Sequence, residues 1–328
     1  MRSYAAPGLT VTVLVLLALA PASTVGASSR PATRSTTELS APTTATAPDA
    51  AANETELQVI RAAQLQAKRN ANTLAQNIQA LAATVSDLVA ASGISTGVSL
   101  VDLGGAYPTD WSLNGTSIFT AASTYKLAVL MMEAQNIASG QTDPNGLVCF
   151  EPDDYEDGWF DDYTPGACYT RTELAWRAGT RSDNTAGHML VRDVGGAAVL
   201  NAWAASLGAA NSALFDGNTT TADDLTALWV AEGDGRLGGS TAQTWLYPLL
   251  TQTTSEAGIP AGVASGVAVV HKTGTIDAVE NDSALVLVSP SSAYVLTVMT
   301  DGLGGDAGWQ LIAAISAAVW TFESSRPA

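Results

Sequence analysis

A serine three residues ahead of a lysine, in "FTAASTYKLAVLMMEAQ" from Phe119, is where chemistry can first be read in this chain. A serine hydroxyl is a weak nucleophile until a neighbouring group takes its proton. On a helix, Ser123 and Lys126 stand one turn apart on the same face. A lysine buried beside other cations sheds its proton more easily and can serve as that base. The chain holds only three lysines, Lys68, Lys126 and Lys272, so lysine is not a general surface residue here. Two further motifs follow in order: Ser182-Asp183-Asn184, opening the helical "NTAGHML", and Lys272-Thr273-Gly274 on an expected strand. Each has an ordinary reading alone. Ser123 or Thr124 could cap a helix, Ser-Asp-Asn is a good helix start, and Lys-Thr-Gly could end a strand. Together and in order, they argue for one site built from hydroxyls and amines.

The elements that must position these groups are legible. "TGVSLVDLGG" reads as a strand with a turn at Gly104-Gly105, and "DWSLNGTSIFT" as its partner. The middle of the chain turns helical: "RTELAWRAGT", "NTAGHMLVRDV", "GGAAVLNAWAASLG", "TADDLTALWVAEG" and "TAQTWLYPLLTQT". The end returns to strands, "GVAVVHKTGT", "SALVLVS" and "AYVLTVMTDG", the last two joined by a "PSSA" turn. An apolar helix, "GWQLIAAISAAVWTF", closes the chain. This order predicts an α/β fold with an all-α part: an antiparallel sheet drawn from both termini (94–120 and 262–328) with a helical domain (121–261) inserted.

Upstream, residues 54–93 carry a long helical pattern. Leu74, Ile78, Leu81, Val85 and Leu88 form its apolar seam, Asn53 is a candidate cap and Gly93 a stop. Residues 28–53 are a Ser/Thr/Ala/Pro run that cannot build a core and read as a flexible spacer. Residues 1–27 read as a signal peptide: Arg2, then the apolar "LTVTVLVLLALA", then small residues up to Ala27. That apolar run is shorter than the roughly 20 residues of a spanning helix, so the expectation is an exported protein with no stable membrane span after cleavage. A net charge of −17 excludes nucleic acid and anionic lipid as partners. Cys149 and Cys168, the only cysteines, are expected to pair in that compartment.

The three motifs together resemble the class A β-lactamases and the penicillin-binding serine hydrolases across roughly residues 94–322. The resemblance rests on "FTAASTYKL", "TELAWRAGTRSDNTAGHML" and "HKTGT…NDSALVLV". It implies the β-lactamase-like fold and no metal or organic cofactor. It also implies catalytic roles for Ser123, Lys126, Ser182 and Lys272. Ser123 attacks a lactam or acyl-D-Ala carbonyl, Lys126 takes part in its deprotonation, and Ser182 bridges the two lysines. Asn184 would bind the substrate amide, Lys272 and Thr273 would face its carboxylate, and Gly274 would let the ligand approach the strand. The backbone N–H groups of Ser123 and Thr275 would form the oxyanion hole. Tyr163 matches the family's gate tyrosine by position, and Asp183 reads as structural. The implied ligand is a small β-lactam or a peptidoglycan stem peptide.

The chain departs from the pattern in two places. The family's Glu-x-x-Leu-Asn loop, whose glutamate activates the deacylating water, is absent. "LGAANSALFDGNTTTADDL" is shortened, and Asp216 in it reads as a turn residue rather than a base. No arginine stands near Lys-Thr-Gly, and Arg236 reads as a loop charge. These departures predict slow deacylation, so three readings stay open: a β-lactamase, a D,D-peptidase or penicillin-binding protein, and a non-catalytic wall or antibiotic binder. The segment between the cysteines carries seven acids and reads as a rim or a solvated loop, without EF-hand spacing. His188 is expected to pack. His271 is expected at the strand surface, or as a pH-sensitive neighbour of the site.

Overall fold

The computed structural model describes residues 50–104, 109–289, 292–302 and 304–326. The signal peptide, nearly all of the spacer, Gly105 of the first expected turn and Pro290-Ser291 of the last lie outside the described residues. The chain divides into two compact units at residue 76/77. Helix α1 is Ala50–Ser92, so Asn53 lies inside it rather than capping it. In the first unit, Val59, Ile60 and Leu65 are exposed. In the second, Ile78, Leu81, Ala82 and Val85 are buried along the expected seam. Gly93, at φ +67°, follows the last turn, a left-handed position that glycine takes without strain.

The second unit is built on a five-stranded antiparallel sheet. Its strands are β1 (Ser95–Asp102), β2 (Asp110–Leu113), β7 (Ala268–Ile276), β8 (Val279–Ser289) and β9 (Ser292–Asp301), in the order β2-β1-β9-β8-β7. Both ends of the unit therefore contribute to it. "DWSLNGTSIFT" is not one strand. It turns at Asn114, φ +52°, and Phe119–Thr120 (β3) leaves the sheet to pair with Thr219–Thr220 (β6). Between β3 and β7 run α2 (Tyr125–Ala138), the hairpin β4 (Leu147–Cys149) and β5 (Cys168–Thr170), α3 (Arg171–Thr180), α4 (Asn184–Asp193), α5 (Ala197–Ser206), α6 (Ala222–Gly233) and α7 (Ser240–Leu246). The helix expected through "TAQTWLYPLLTQT" stops at Leu246 and tightens into a 3-10 turn at Tyr247–Leu249, because Pro248 cannot continue the ladder. Helix α8 (Gly305–Ser324) closes the chain.

Strand β8 is buried without alternation through Val286, so both faces of the sheet are covered. The period of two assigns each cover. Thr297 meets Thr226 of α6, while Gly308 of α8 lies against Glu280 and Thr300. Thr297 and Thr300 differ by an odd number, so α6 and α8 lie on opposite faces. The largest core gathers α2, α4 and α6 around Leu127, Met131, Leu190, Leu228 and Trp229, and reaches the sheet at Val270, Leu285 and Val295. Cys149 and Cys168 are disulfide-bonded across the β4–β5 hairpin.

Candidate active site

The serine stands on a strained turn fastened to the sheet. Ala122 has φ +47°, a left-handed conformation costly for a residue with a Cβ. Asn281 of β8 holds the turn by donating from Nδ2 to the carbonyls of Thr120 (2.8 Å) and Ala121 (3.2 Å). The Thr124 hydroxyl also donates to Ala121 O, at 2.6 Å. Helix α2 has no side-chain cap, so the capping reading of Ser123 and Thr124 does not hold. Ser123 is half-buried and one turn ahead of Lys126, whose side chain is wholly inaccessible.

Lys126 Nζ lies 3.0 Å from Ser123 Oγ, 2.7 Å from the Ser182 carbonyl and 2.6 Å from Asn184 Oδ1. The last two atoms can only accept. A neutral amine has two N–H donors and one lone pair. Its donors match the two carbonyl oxygens, and its lone pair is left facing the serine hydroxyl. Burial pushes the Lys126 pKa down to about 7, against the opposing pull of Asp183 and Glu156. A neutral amine beside Ser123 is therefore well populated near neutral pH.

Ser182 joins the two lysines. Its carbonyl accepts from Lys126, and its hydroxyl accepts from Lys272 Nζ at 2.9 Å. Ser182 has φ +58°, a second strained residue at the site. Lys272 is fully buried and also donates to the Thr273 carbonyl, at 2.8 Å. Burial, and then repulsion from Lys126, hold its pKa well below that of an ordinary lysine.

Glycines allow these elements to touch. A Cβ on Gly274 would sit 2.7 Å from Ala121 O and 3.0 Å from Thr124 N, so this glycine brings β7 against the serine turn. The constraint seen here is the protein's own backbone. A Cβ on Gly187 of α4 would meet Tyr125 Oη at 2.8 Å and Lys126 Cε at 2.9 Å.

Asp183 is structural, as expected. It caps α4 by accepting from Ala186 N at 2.9 Å. It also accepts from Tyr163 Oη (2.7 Å) and Trp159 N (3.1 Å). Tyr163 is therefore not a gate at an open rim. It is buried under Asp183, with Arg177 over its ring. The exposed aromatic of this loop is Trp159, over which Arg181 lies 5.1 Å from the ring centre. The Thr275 hydroxyl donates to Glu280 Oε2 at 2.6 Å, which leaves only its acceptor side open. His271 is not at the surface. One residue from Lys272, it points to the α8 face, fully buried between Asp282 (2.9 Å) and Glu256 (3.1 Å).

The acidic disulfide loop is bound down rather than simply solvated. Arg177 pairs with Asp162 through both terminal nitrogens (2.7 and 2.8 Å), and Arg192 holds Asp154 and Glu151. Glu156 reaches the site itself. Its carboxylate accepts from Asn184 Nδ2 at 2.8 Å and lies 2.9 Å from His188 Nε2. His188 thus does more than pack. Neither Glu156 nor Asn281 has a role legible in the sequence, although Asn281 opens the "NDSALVLV" segment. Among the described residues, no group of three or more His, Cys, Asp or Glu side chains is arranged to hold a metal ion.

The shortened loop before β6 brings a phenyl ring to this area. Phe215, at φ +70°, packs edge-on against Tyr125 (centroids 5.5 Å apart) and His188 (4.9 Å). Asp216 borders a neighbouring crevice with His188 and Arg192. Among the described residues, no carboxylate hydrogen-bonds to Ser123 or Lys126.

A five-stranded antiparallel sheet flanked by helices, with a serine and two buried lysines meeting at its edge, defines a β-lactamase-like serine hydrolase. The chain belongs to the beta-lactamase enzyme family, whose sequence profile matches residues 76–322. Similar solved structures include PBP-A, 25% identical over 73% of this chain and 94% of that one, with a TM-score of 0.67. A single-residue mutant of PBP-A, an acyl-enzyme complex with penicillin G, is 26% identical over 74% of this chain and 96% of that one (TM-score 0.68). A beta-lactamase from Sphaerobacter thermophilus is 26% identical over 75% of this chain and 99% of that one (TM-score 0.66). Among curated proteins none matches significantly.

Proposed function

We propose that this chain is an exported active-site serine hydrolase that forms an acyl-enzyme with β-lactams and releases it slowly. The observation that carries the reading is the 3.0 Å approach of Lys126 Nζ to Ser123 Oγ inside a fully buried lysine environment. Neutral Lys126 takes the proton of Ser123, and Oγ attacks the lactam carbonyl. The developing oxyanion is received by the backbone N–H groups of Ser123 and Thr275, a device worth a few kcal/mol in such sites. As the C–N bond breaks, the leaving nitrogen takes the Ser182 proton, which Lys272 replaces. Lys272, with Thr273, also faces the substrate carboxylate, which favours the lysine's charged form on binding.

Slow release is supported by what surrounds the serine. The family's water-activating glutamate has no counterpart in the shortened loop, whose Phe215 packs on Tyr125 and His188, and Glu156 is already engaged by Asn184 and His188. The same observation favours a second reading, a D,D-peptidase or penicillin-binding protein that acts on stem peptides. The likeness to PBP-A, captured as an acyl-enzyme in its mutant form, agrees with both. A chromogenic cephalosporin tests the acylation and slow release that both readings share. One equivalent of colour followed by a slow steady rate supports the proposed acyl-enzyme behaviour. Steady turnover at tens per second would refute slow release, and no colour at all would refute acylation.

A further inference from the structure

Asn184 carries the amide that the resemblance assigns to the substrate, yet in this chain its donor end is already engaged. Its Oδ1 accepts from Lys126, and its Nδ2 donates to Glu156 Oε1 at 2.8 Å, with the Asp157 carbonyl 3.5 Å away. Glu156 is held in this place. Its backbone N–H donates to the Thr185 hydroxyl oxygen at 3.0 Å, the same hydroxyl donates to its carbonyl at 2.8 Å, and His188 lies on its second carboxylate oxygen. About half of the Glu156 side chain remains open to solvent. The usual acceptor of a substrate, an amide carbonyl, would meet a carboxylate here. A donor, above all an ammonium, would be complemented. Lys126, on the other end of Asn184, offsets part of this charge when protonated, whereas the nearby arginines do not. Arg177 and Arg192 are paired with other acids of the loop, and Arg181 lies over Trp159.

We propose that Glu156 is a specificity determinant of this site, selecting acylating substrates whose acyl side chain carries an amino group beside the amide and rejecting those with a carboxylate there. The inference rests on the proposed acylation of Ser123 and deepens it. The chain's net charge of −17 acts in the same direction at long range, so the local part must be isolated by substitution.

Three penicillins test it because they differ only at the side-chain α-carbon: benzylpenicillin (hydrogen), ampicillin (ammonium) and carbenicillin (carboxylate). The second-order rate of acylation is read by intact mass at pH 6.5, where the ampicillin amine is mostly protonated, and at low salt, on the full chain and on Glu156→Gln. The expected order is ampicillin, benzylpenicillin, carbenicillin, with about three- to fivefold between neighbours, the range of a partly exposed charge pair. Glu156→Gln should compress the series to within about twofold, and ~0.5 M salt should shrink the wild-type spread. Circular dichroism of the variant checks that its fold is kept. Adducts with all three at equal rates, or a spread that survives in Glu156→Gln, overturn the assignment while leaving acylation intact. No adduct with any of the three overturns the acylation reading, and this one with it.

Discussion

The depressed pKa of Lys126 sets the pH dependence of acylation. If the neutral amine is the base, the rate follows the neutral fraction, and a pKa of about 7 fixes its shape. That fraction is about 10% at pH 6 and about 90% at pH 8. Acylation by benzylpenicillin should therefore rise about tenfold over that interval and be nearly flat above pH 8. A lysine near its solution value of about 10.4 would instead give a tenfold rise per pH unit through pH 9. The perturbation that ties the curve to this geometry is Glu156→Gln. The Glu156 carboxylate favours the charged lysine, so its removal should move the rising limb to lower pH. Second-order rates from timed quenching and intact mass between pH 5.5 and 9.5 provide the assay. A wild-type rate still climbing with unit slope at pH 9 would refute the neutral-amine argument. So would a limb that moves to higher pH in the variant.

Three further outcomes follow from the packing. Gly274→Ala places a Cβ 2.7 Å from the Ala121 carbonyl, with backbone on both sides, and should cut acylation roughly a hundredfold by displacing β7 from the serine turn. An unchanged rate would show that the turn and strand need not touch. Burial disfavours the charged form of His271, but Asp282 and Glu256 outweigh it and raise its pKa to about 9. Because the folded value exceeds the unfolded one, its contribution is complete below about pH 6.5 and is lost as pH rises through about 9. On the order of 2 kcal/mol is expected, allowing for screening at half-exposed Glu256. Urea unfolding of wild type and His271→Asn from pH 6 to 9.5 should show the difference narrowing with pH, and a constant difference would contradict it. Replacing both Cys149 and Cys168 by serine should cost about 3 kcal/mol or less in the same assay, since Arg177 and Arg192 also fasten the loop. No measurable loss would mean the bridge constrains nothing.

The sequence carried the site's chemistry well because that chemistry is local. Ser123 with Lys126 is a short motif whose spacing a helical turn makes into proximity, and Ser182 with Asn184 brackets the Asp183 cap at the start of α4. The meeting of Lys272 with Ser182 spans 90 residues and was readable only through the resemblance. The errors have one physical source: alternation and burial are decided by partners far along the chain. His271 reads as a surface residue until Asp282 and Glu256 enclose its ring. Tyr163 reads as a rim group until Asp183 draws its hydroxyl inward. The roles of Asn281 and Glu156 depend on tertiary contacts that no local pattern announces. The break at Pro248 was legible in principle, since a proline within a helical run marks a stop.

The central claim is that Ser123 becomes the acylated atom because a neutral Lys126 removes its proton. Peptide mapping after a short exposure to benzylpenicillin tests this most directly, with Lys126→Met and Ser123→Ala beside the wild type. The account predicts one penicilloyl group, on the peptide holding Ser123, lasting for many minutes in the wild type. It predicts none in Ser123→Ala and a labelling rate at least roughly a hundredfold lower in Lys126→Met, the scale of a lost general base. Labelling elsewhere, or undiminished labelling without Lys126, would contradict it.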